Sequence, residues 1–258
     1  MANTKIEWTD YSWNPIDGCT PVSEECTNCY ASRHAKRFWG DRKFSDIRFH
    51  PERIGQPLEW DTPRRIFVCS MADLFHPAVL PDWLNKVVAV TTMCQQHTLC
   101  ILTKYPQRMA EYIDYACYSE QGNEDIGEAR ADLSEDIDPC DFDPTLPNIW
   151  LGISCGLAKY TSRIDLLRQT PAKVRFLSLE PLLGPIPNLN LDGIHWVICG
   201  GESGPGARPM KIDWVRSIRD QCVEAGVPFF FKQWGGVNKK KAGRLLDGRN
   251  WNEYPKGR

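Results

Sequence analysis

With 258 residues, 42% of them hydrophobic, the chain can bury the core of one large domain or two small ones, which excludes a short peptide held by disulfides alone. Its formal charge of -2 excludes attraction to polyanions by bulk charge. No apolar run nears the roughly 18 residues of a membrane span, and the polar start Met1-Ala2-Asn3-Thr4-Lys5 lacks a signal-peptide core, so a cytoplasmic protein without membrane contact is expected.

In chain order, a short first strand is expected around residues 6–13. The run Gly18-Cys19-Thr20-Pro21-Val22-Ser23-Glu24-Glu25-Cys26-Thr27-Asn28-Cys29-Tyr30 follows at once, placing three cysteines in one loop. Three thiolates can ligate one metal centre and leave a position open. A structural zinc site wants a fourth ligand close by, and a three-cysteine 4Fe-4S cluster departs from full four-cysteine ligation by keeping one iron free. The residues alone leave three readings: an iron-sulfur site on Cys19, Cys26 and Cys29, a zinc site recruiting His34 or a distant cysteine, and unrelated thiols.

Next comes a stretch in which Arg33, His34, Lys36, Arg37, Arg42, Lys43, Arg48 and Arg53 are interleaved with Phe38 and Trp39. Such a mix suits nucleic acid, since cations neutralise phosphates and aromatic faces stack bases, and it equally suits a solvated helix face. Short apolar runs then recur at 65–70, 98–103, 148–154, 173–179, 195–200 and 228–232, each apolar on both faces and therefore read as buried parallel strands. Cys69, Cys100 and Cys199 lie inside these runs and are expected to pack as small hydrophobes. Helical spacing at 81–93 and 213–225 alternates with the strands, which makes the chain α/β.

Polar residues cluster just past the strand ends: Ser70 and Asp73, Thr103 and Lys104, Ser154, Ser178 and Glu180, Glu202 and Ser203, Lys232 and Gln233. A parallel barrel builds its active site at that rim, so a partial or complete (β/α) barrel is expected, with a doubly wound open sheet as the competing architecture. The barrel is expected over 1–235. An acidic segment of about 111–146, without clear period, reads as an insertion or mobile loop, and 236–258 reads as a basic tail wrapping the surface, with Lys239, Lys240, Lys241, Arg244 and Arg249 beside Trp251 and Tyr254.

Taken together, Lys5-Ile6-Glu7-Trp8-Thr9-Asp10, the cysteine run, Ser70-Met71-Ala72-Asp73-Leu74-Phe75-His76, Ile101-Leu102-Thr103-Lys104, Leu177-Ser178-Leu179-Glu180-Pro181-Leu182, Gly200-Gly201-Glu202-Ser203-Gly204 and Phe231-Lys232-Gln233-Trp234-Gly235 give a specific likeness. The chain resembles the radical SAM superfamily, and more closely a phage-associated three-cysteine family of unknown function. That resemblance implies a TIM-like partial barrel, a 4Fe-4S cluster on Cys19, Cys26 and Cys29, S-adenosyl-L-methionine (SAM) on its free iron, an external electron donor, and a 5'-deoxyadenosyl radical that abstracts hydrogen from substrate. The first cysteine gap is longer than the superfamily's usual Cys-x3-Cys-x2-Cys. Cys29-Tyr30 is similar to the Cys-x2-Cys-Tyr pattern of spore photoproduct lyases, which act on thymine.

The superfamily's Gly-Gly-Glu element follows the second strand, whereas Gly200-Gly201-Glu202 comes late, so Ser70 and Asp73 become the candidates for the methionine amino group. Ser154, Ser178 and Glu180 are the candidates for ribose or carboxylate contacts. Lys104, Glu202 and Lys232 are candidate catalytic or anion-binding groups. The resemblance implies a nucleobase substrate in phage DNA, most sharply an isomerase converting an N-linked glycyl-thymidine to its C-linked form. The alternatives are a radical SAM enzyme on a peptide or small metabolite, with or without a protein partner, and a non-catalytic zinc-binding nucleic-acid module.

Overall fold

The computed structural model describes residue 4, residues 6–134 and residues 142–256. In chain order it places β1 (Tyr11–Trp13), β2 (Ile16–Asp17), α1 (Tyr30–Phe38), β3 (Arg48–Phe49), α2 (Pro51–Ile54), β4 (Arg65–Val68), α3 (Pro81–Met93), β5 (Thr98–Thr103), α4 (Pro106–Tyr118) and α5 (Glu120–Ala131). There follow β6 (Ile149–Ser154), α6 (Ser162–Gln169), β7 (Val174–Leu179), β8 (Trp196–Gly200), α7 (Ile212–Glu224), β9 (Phe229–Gln233) and α8 (Lys239–Ala242). Proline opens both α3 and α4, where its missing N–H costs no intrahelical bond. Among the described residues, no helix is long and apolar enough to cross a membrane.

Seven of these strands form one parallel sheet in the order β1-β4-β5-β6-β7-β8-β9, while β2 and β3 pair separately as an antiparallel ribbon. Because every strand is added on the same side, the crossovers all run one way, and the sheet curls instead of doubling back. The curl is visible in the packing. β4 and β8 lie four positions apart, roughly 19 Å in a flat sheet at about 4.8 Å per strand. The Trp8 ring nonetheless stands 4.9 Å from Phe67 of β4 and 5.9 Å from Trp196 of β8. The architecture is a half-barrel, open between β1 and β9 among the described residues.

Alternation along the strands divides the core into two. Outward residues such as Ile66, Leu99, Ile101, Leu151, Leu177 and Phe229 join the helices in one cluster. Inward residues Phe67, Cys100, Trp150, Phe176, Trp196, Ile198 and Phe230 form a second cluster with Trp8. Burying each large aromatic contributes about 1.5–3 kcal/mol. Gly152 keeps the inner face of β6 clear where the Phe176 ring fills the position that a Cβ would take. Cys69, Cys100 and Cys199 are buried, as their apolar runs required.

Two segments differ from expectation. Within 111–146, which reads from the sequence as an acidic insertion or mobile loop, residues 111–134 are mostly helical, completing α4 and supplying α5, while 135–141 lie outside the described residues. The acidic composition masks an apolar stripe: Met109, Tyr112, Ile113 and Ala116 recur at helical spacing and are buried, as are Ile126 and Ala129. Ser119 caps α5, accepting a hydrogen bond from the Gly122 N–H at 2.9 Å. The tail is anchored more deeply than a plain surface wrap: 247–250, 252 and 253 are exposed, but Leu246 and Trp251 are buried and Tyr254 packs 5.2 Å from Trp196 and 5.4 Å from Phe230. The Trp196 indole N–H donates to the Glu253 carbonyl at 2.8 Å, so the tail closes the lower end of the half-barrel.

Candidate functional site

Above the aromatic layer, the same alternation brings Ser154, Ser178, Glu180 and Lys232 to the inner face at the carboxyl ends of the strands. A parallel barrel uses this rim for chemistry. Lys232 donates to both Glu180 oxygens at 2.9 Å, and the Gln233 amide donates to the same carboxylate at 3.3 Å. Ser154 Oγ donates to the Glu180 carbonyl at 3.4 Å. Four of the sequence candidates therefore converge, with two of them satisfying each other's charge. Lys104, by contrast, forms no ion pair among the described residues; its backbone N–H donates to Asp73 at 2.8 Å.

The cysteine loop crosses this mouth and is tied down on every side. Gly18 has φ +97°, a left-handed conformation that suits glycine, and a Cβ there would meet the Asp46 carbonyl at 2.8 Å. The Gly18 N–H donates to Met71 past the end of β4 at 3.0 Å, and the Cys19 N–H donates to Phe44 at 2.8 Å. Thr20 Oγ1 and His76 Nε2 are hydrogen-bonded at 2.7 Å. Tyr30, one residue past the last cysteine, donates from its hydroxyl to the Ser70 carbonyl at 2.5 Å.

On the β6 side the anchor is Glu25, whose side chain is wholly buried. It accepts from Ser23 Oγ at 2.9 Å, from Arg163 at 2.9 Å and from the Gly156 N–H. Its neighbour Glu24 pairs with Lys159 and accepts from the Tyr160 hydroxyl, which together hold its carboxyl down at about 2. On the β8 side Asn28, between the second and third cysteines, donates to Glu202 at 2.8 Å and to the Gly206 carbonyl at 2.9 Å. Arg33 of α1 reaches the Pro205 carbonyl at 2.8 Å and the Ser203 carbonyl.

Glu202 is itself taken up by Arg208, which grips both carboxylate oxygens at 2.6 and 3.0 Å and donates its backbone N–H at 2.8 Å. Burial alone would raise the Glu202 carboxyl, but the hydrogen bonds from Arg208 and Asn28 outweigh it and the net shift is downward. The Gly-Gly-Glu stretch thus serves as a clamp on the cysteine loop. Asp73 is similarly occupied: Thr103 Oγ1 donates at 2.6 Å, and the Lys104 and Phe75 N–H groups donate at 2.8 and 3.1 Å. Burial raises its carboxyl despite these bonds. Ser70 Oγ donates to the Asn14 side chain at 3.2 Å.

Asn14, Glu25, Asn28, His76, Arg163 and Arg208 were not singled out in the sequence. Glu25 and Asn28 carried a signal in their place inside the cysteine run, and His76 in its place in the stretch 70–76. Apart from Ser23, the partners of Glu25 and Asn28 lie more than 130 residues away along the chain.

The three thiols are half-buried and share one electrostatic neighbourhood. Burial pushes Cys19 up to about 12, Asp73, Cys26 and Cys29 add to the rise, and Lys104 opposes it. Among the described residues, no three His, Cys, Asp or Glu side chains approach closely enough to hold a single metal ion. His34, the proposed fourth zinc ligand, is exposed and packs at a tilt against Phe38, with ring centroids 4.6 Å apart. The three thiols lie in one loop, half-buried and with no fourth ligand beside them among the described residues, which in kind and number is the donor set of a cluster with one open iron.

Residues 3–255 match one family model, described as "Protein of unknown function (DUF5131)". No curated protein matches the chain. Among solved structures, the chain is similar to "Spore photoproduct lyase complexed with dinucleoside spore photoproduct", with a TM-score of 0.47 and 11% sequence identity, covering 85% of this chain and 62% of that one. The chain thus spans less than two thirds of that protein's length.

Proposed function

The chain belongs to the DUF5131 family of proteins of unknown function, and on its residues we propose that it is a radical SAM enzyme whose 4Fe-4S cluster is held by Cys19, Cys26 and Cys29. The observation carrying this reading is a loop with three half-buried thiols, laid across the carboxyl-end mouth of a parallel half-barrel and tied to β4, β6 and β8. When bound, the cluster and SAM supply one-electron cleavage of the sulfonium and hydrogen abstraction.

The protein's own residues supply position and exclusion. Glu25, Glu202 and Asn28 fix the loop, so that its thiols are held over the mouth. Lys104, which forms no ion pair among the described residues and lies close enough to Cys19 to influence it, is a cation available to an anionic group of cofactor or substrate. Ser154 and Ser178 present hydroxyls on the same inner face as the Glu180–Lys232 ion pair, which places a fixed acid and a fixed cation at the mouth to orient polar groups of a bound molecule. The aromatic layer below keeps water from entering through the floor.

The substrate we propose is a thymine-derived nucleobase, and the reaction an isomerisation of N-linked glycyl-thymidine. The bond from the glycyl nitrogen to the thymine methyl carbon breaks, one from the glycyl α-carbon to that methyl carbon forms, and hydrogen moves from the α-carbon to nitrogen. The change is redox-neutral. This finer reading is supported by the sequence resemblance and by the basic and aromatic residues of α1.

The test is anaerobic isolation and reconstitution of the full chain. About four irons per chain, with 5'-deoxyadenosine formed from SAM only under reduction, are expected. Stoichiometric zinc without iron would overturn the cluster. Cofactor cleavage with no change in nucleoside retention time or fragmentation pattern when glycyl-thymidine is supplied would overturn the substrate alone.

A further inference from the structure

Two basic segments far apart in sequence are knitted to the same short loop. Arg33 of α1 donates to the carbonyls of Ser203 and Pro205. On the opposite side of that loop, the Gly204 N–H donates to Gly236 at 3.0 Å and the Gly236 N–H donates to Glu202 at 2.8 Å, leading into the lysines of α8. Positions three and four apart share a helix face, so the side of α1 that carries Arg33 also carries Tyr30, His34, Arg37 and Phe38. Tyr30 is 49% exposed, Phe38 60% and Val237 76%, which makes the edge apolar between its charges.

The charges on this edge are unspent. Among the described residues, Arg37, Lys240 and Lys241 form no ion pair, and Arg37 lies over the Phe38 ring at 5.0 Å. Nearby acids are engaged elsewhere: Glu202 by Arg208, Asp46 by Arg42 and Arg48, and Glu7 by Lys239. Asp41 is the exposed acid that remains at the far end of α1. A chain with net charge -2 has thus gathered free cations and exposed aromatic rings along one lip of its mouth. Unpaired cations with exposed rings among them match the two demands of a nucleic-acid strand, phosphates to neutralise and flat bases to stack.

We propose that this lip, running from α1 over residues 203–206 to residues 237–241, docks the backbone of a nucleic-acid strand beside the mouth. Tyr30 stands at the inner end, next to Cys29, where a base would enter. The proposal rests on the nucleobase reading above and names the surface that would deliver the base.

The experiment uses the full chain, without SAM or reductant, and a fluorescent oligothymidylate of about 20 nucleotides, long enough to span a groove of this kind. Wild type is expected to bind with an affinity that falls steeply with salt. Replacing the three exposed cations together (Arg37→Glu, Lys240→Glu, Lys241→Glu) is expected to weaken binding at least about tenfold at low salt and to flatten the log–log salt slope by about 2. Iron content and melting should be unchanged. Absence of wild-type binding at low salt, equal binding by the triple variant, or displacement by polyglutamate as effective as by unlabelled oligothymidylate would each overturn the proposal, the last by pointing to an acidic protein. Iron-free protein that still binds would leave the surface standing and the radical chemistry refuted. Protein that cleaves SAM but ignores the strand would do the reverse.

Discussion

The floor and the mouth of the half-barrel are made by the same strands and differ in what their inward positions carry. Along β7, Phe176 faces inward near the floor, while Ser178 and, just past the strand, Glu180 face inward at the mouth; along β9, Phe230 gives way to Lys232. At the floor, ring meets ring, with Trp196 within about 6 Å of Trp8, Trp150, Phe176, Phe230 and Tyr254. At the mouth, buried charges meet partners drawn from distant segments. One end holds the fold by area, and the other holds a loop by directed bonds. Stability and chemistry are thereby separated along a few strands, which lets the mouth carry buried acids and half-exposed thiols that would weaken a small core.

That separation predicts opposite responses at the two ends. The largest effect on function is expected from Cys19→Ser, Cys26→Ser or Cys29→Ser: iron uptake and SAM cleavage are lost, while the metal-free protein unfolds within about 0.5 kcal/mol of wild type, as for substitutions outside a packed core. Iron analysis alongside urea denaturation checks both halves. A variant that keeps its iron sinks the assignment of that cysteine. The largest effect on stability is expected at the floor, where Trp196→Ala should cost about 3–5 kcal/mol. Equal melting of this variant and wild type would show that the aromatic layer is not what holds the curl.

Between the two stands Glu25, a core-buried acid that serves the mouth. Glu25→Ala leaves the Gly156 N–H without its acceptor and the Arg163 guanidinium without its counter-charge, with the Ser154 carbonyl still accepting from it, and breaking a buried pair in this way should cost about 3 kcal/mol. It should also loosen the loop. Alkylation of Cys26 and Cys29 in the metal-free protein is therefore expected to accelerate more than the loss of global stability accounts for, and an unchanged alkylation rate would confine Glu25 to a purely structural part.

The same contrast explains what the sequence disclosed. The strands were legible because runs apolar on both faces, such as 149–153 and 229–231, have few other fates in an α/β chain. The three cysteines were legible because their donors lie within eleven residues of one another. The uses of Glu202, Asp73 and Lys232 were not, because a side chain's type does not say whether its charge is already satisfied. Glu180 stands 52 residues from Lys232, and they meet because β7 and β9 flank β8, whose Gly200 leaves the inner face bare between them. The helical stripe in α4 was obscured because acids on its outer face lower the composition without disturbing the period.

The smallest effect is expected at the β8 clamp, and it carries a pH signature. Folding depresses the Glu202 carboxyl, whereas in the unfolded chain it returns to about 4.3. Above that pH the carboxylate is ionised in both states and its bonds to Arg208 and Asn28 contribute in full. As the pH falls below about 4.3 and through the folded value, the unfolded chain takes up the proton first, so the contribution is lost. Arg208 and Arg33 are the cations that face the clamp; the Glu202 pair holds the Arg208 guanidinium above its ordinary value, and nearby Glu24 is held down at about 2 by Lys159 and Tyr160. Glu202→Gln keeps the shape and removes the charge. Its stability should fall below wild type by about 1.5 kcal/mol at neutral pH, and the gap should close as acid is added below about pH 4. Urea denaturation of the two proteins across that range reads the difference directly, and a gap that persists undiminished to about pH 2 would mean that the Glu202 charge does not hold the clamp.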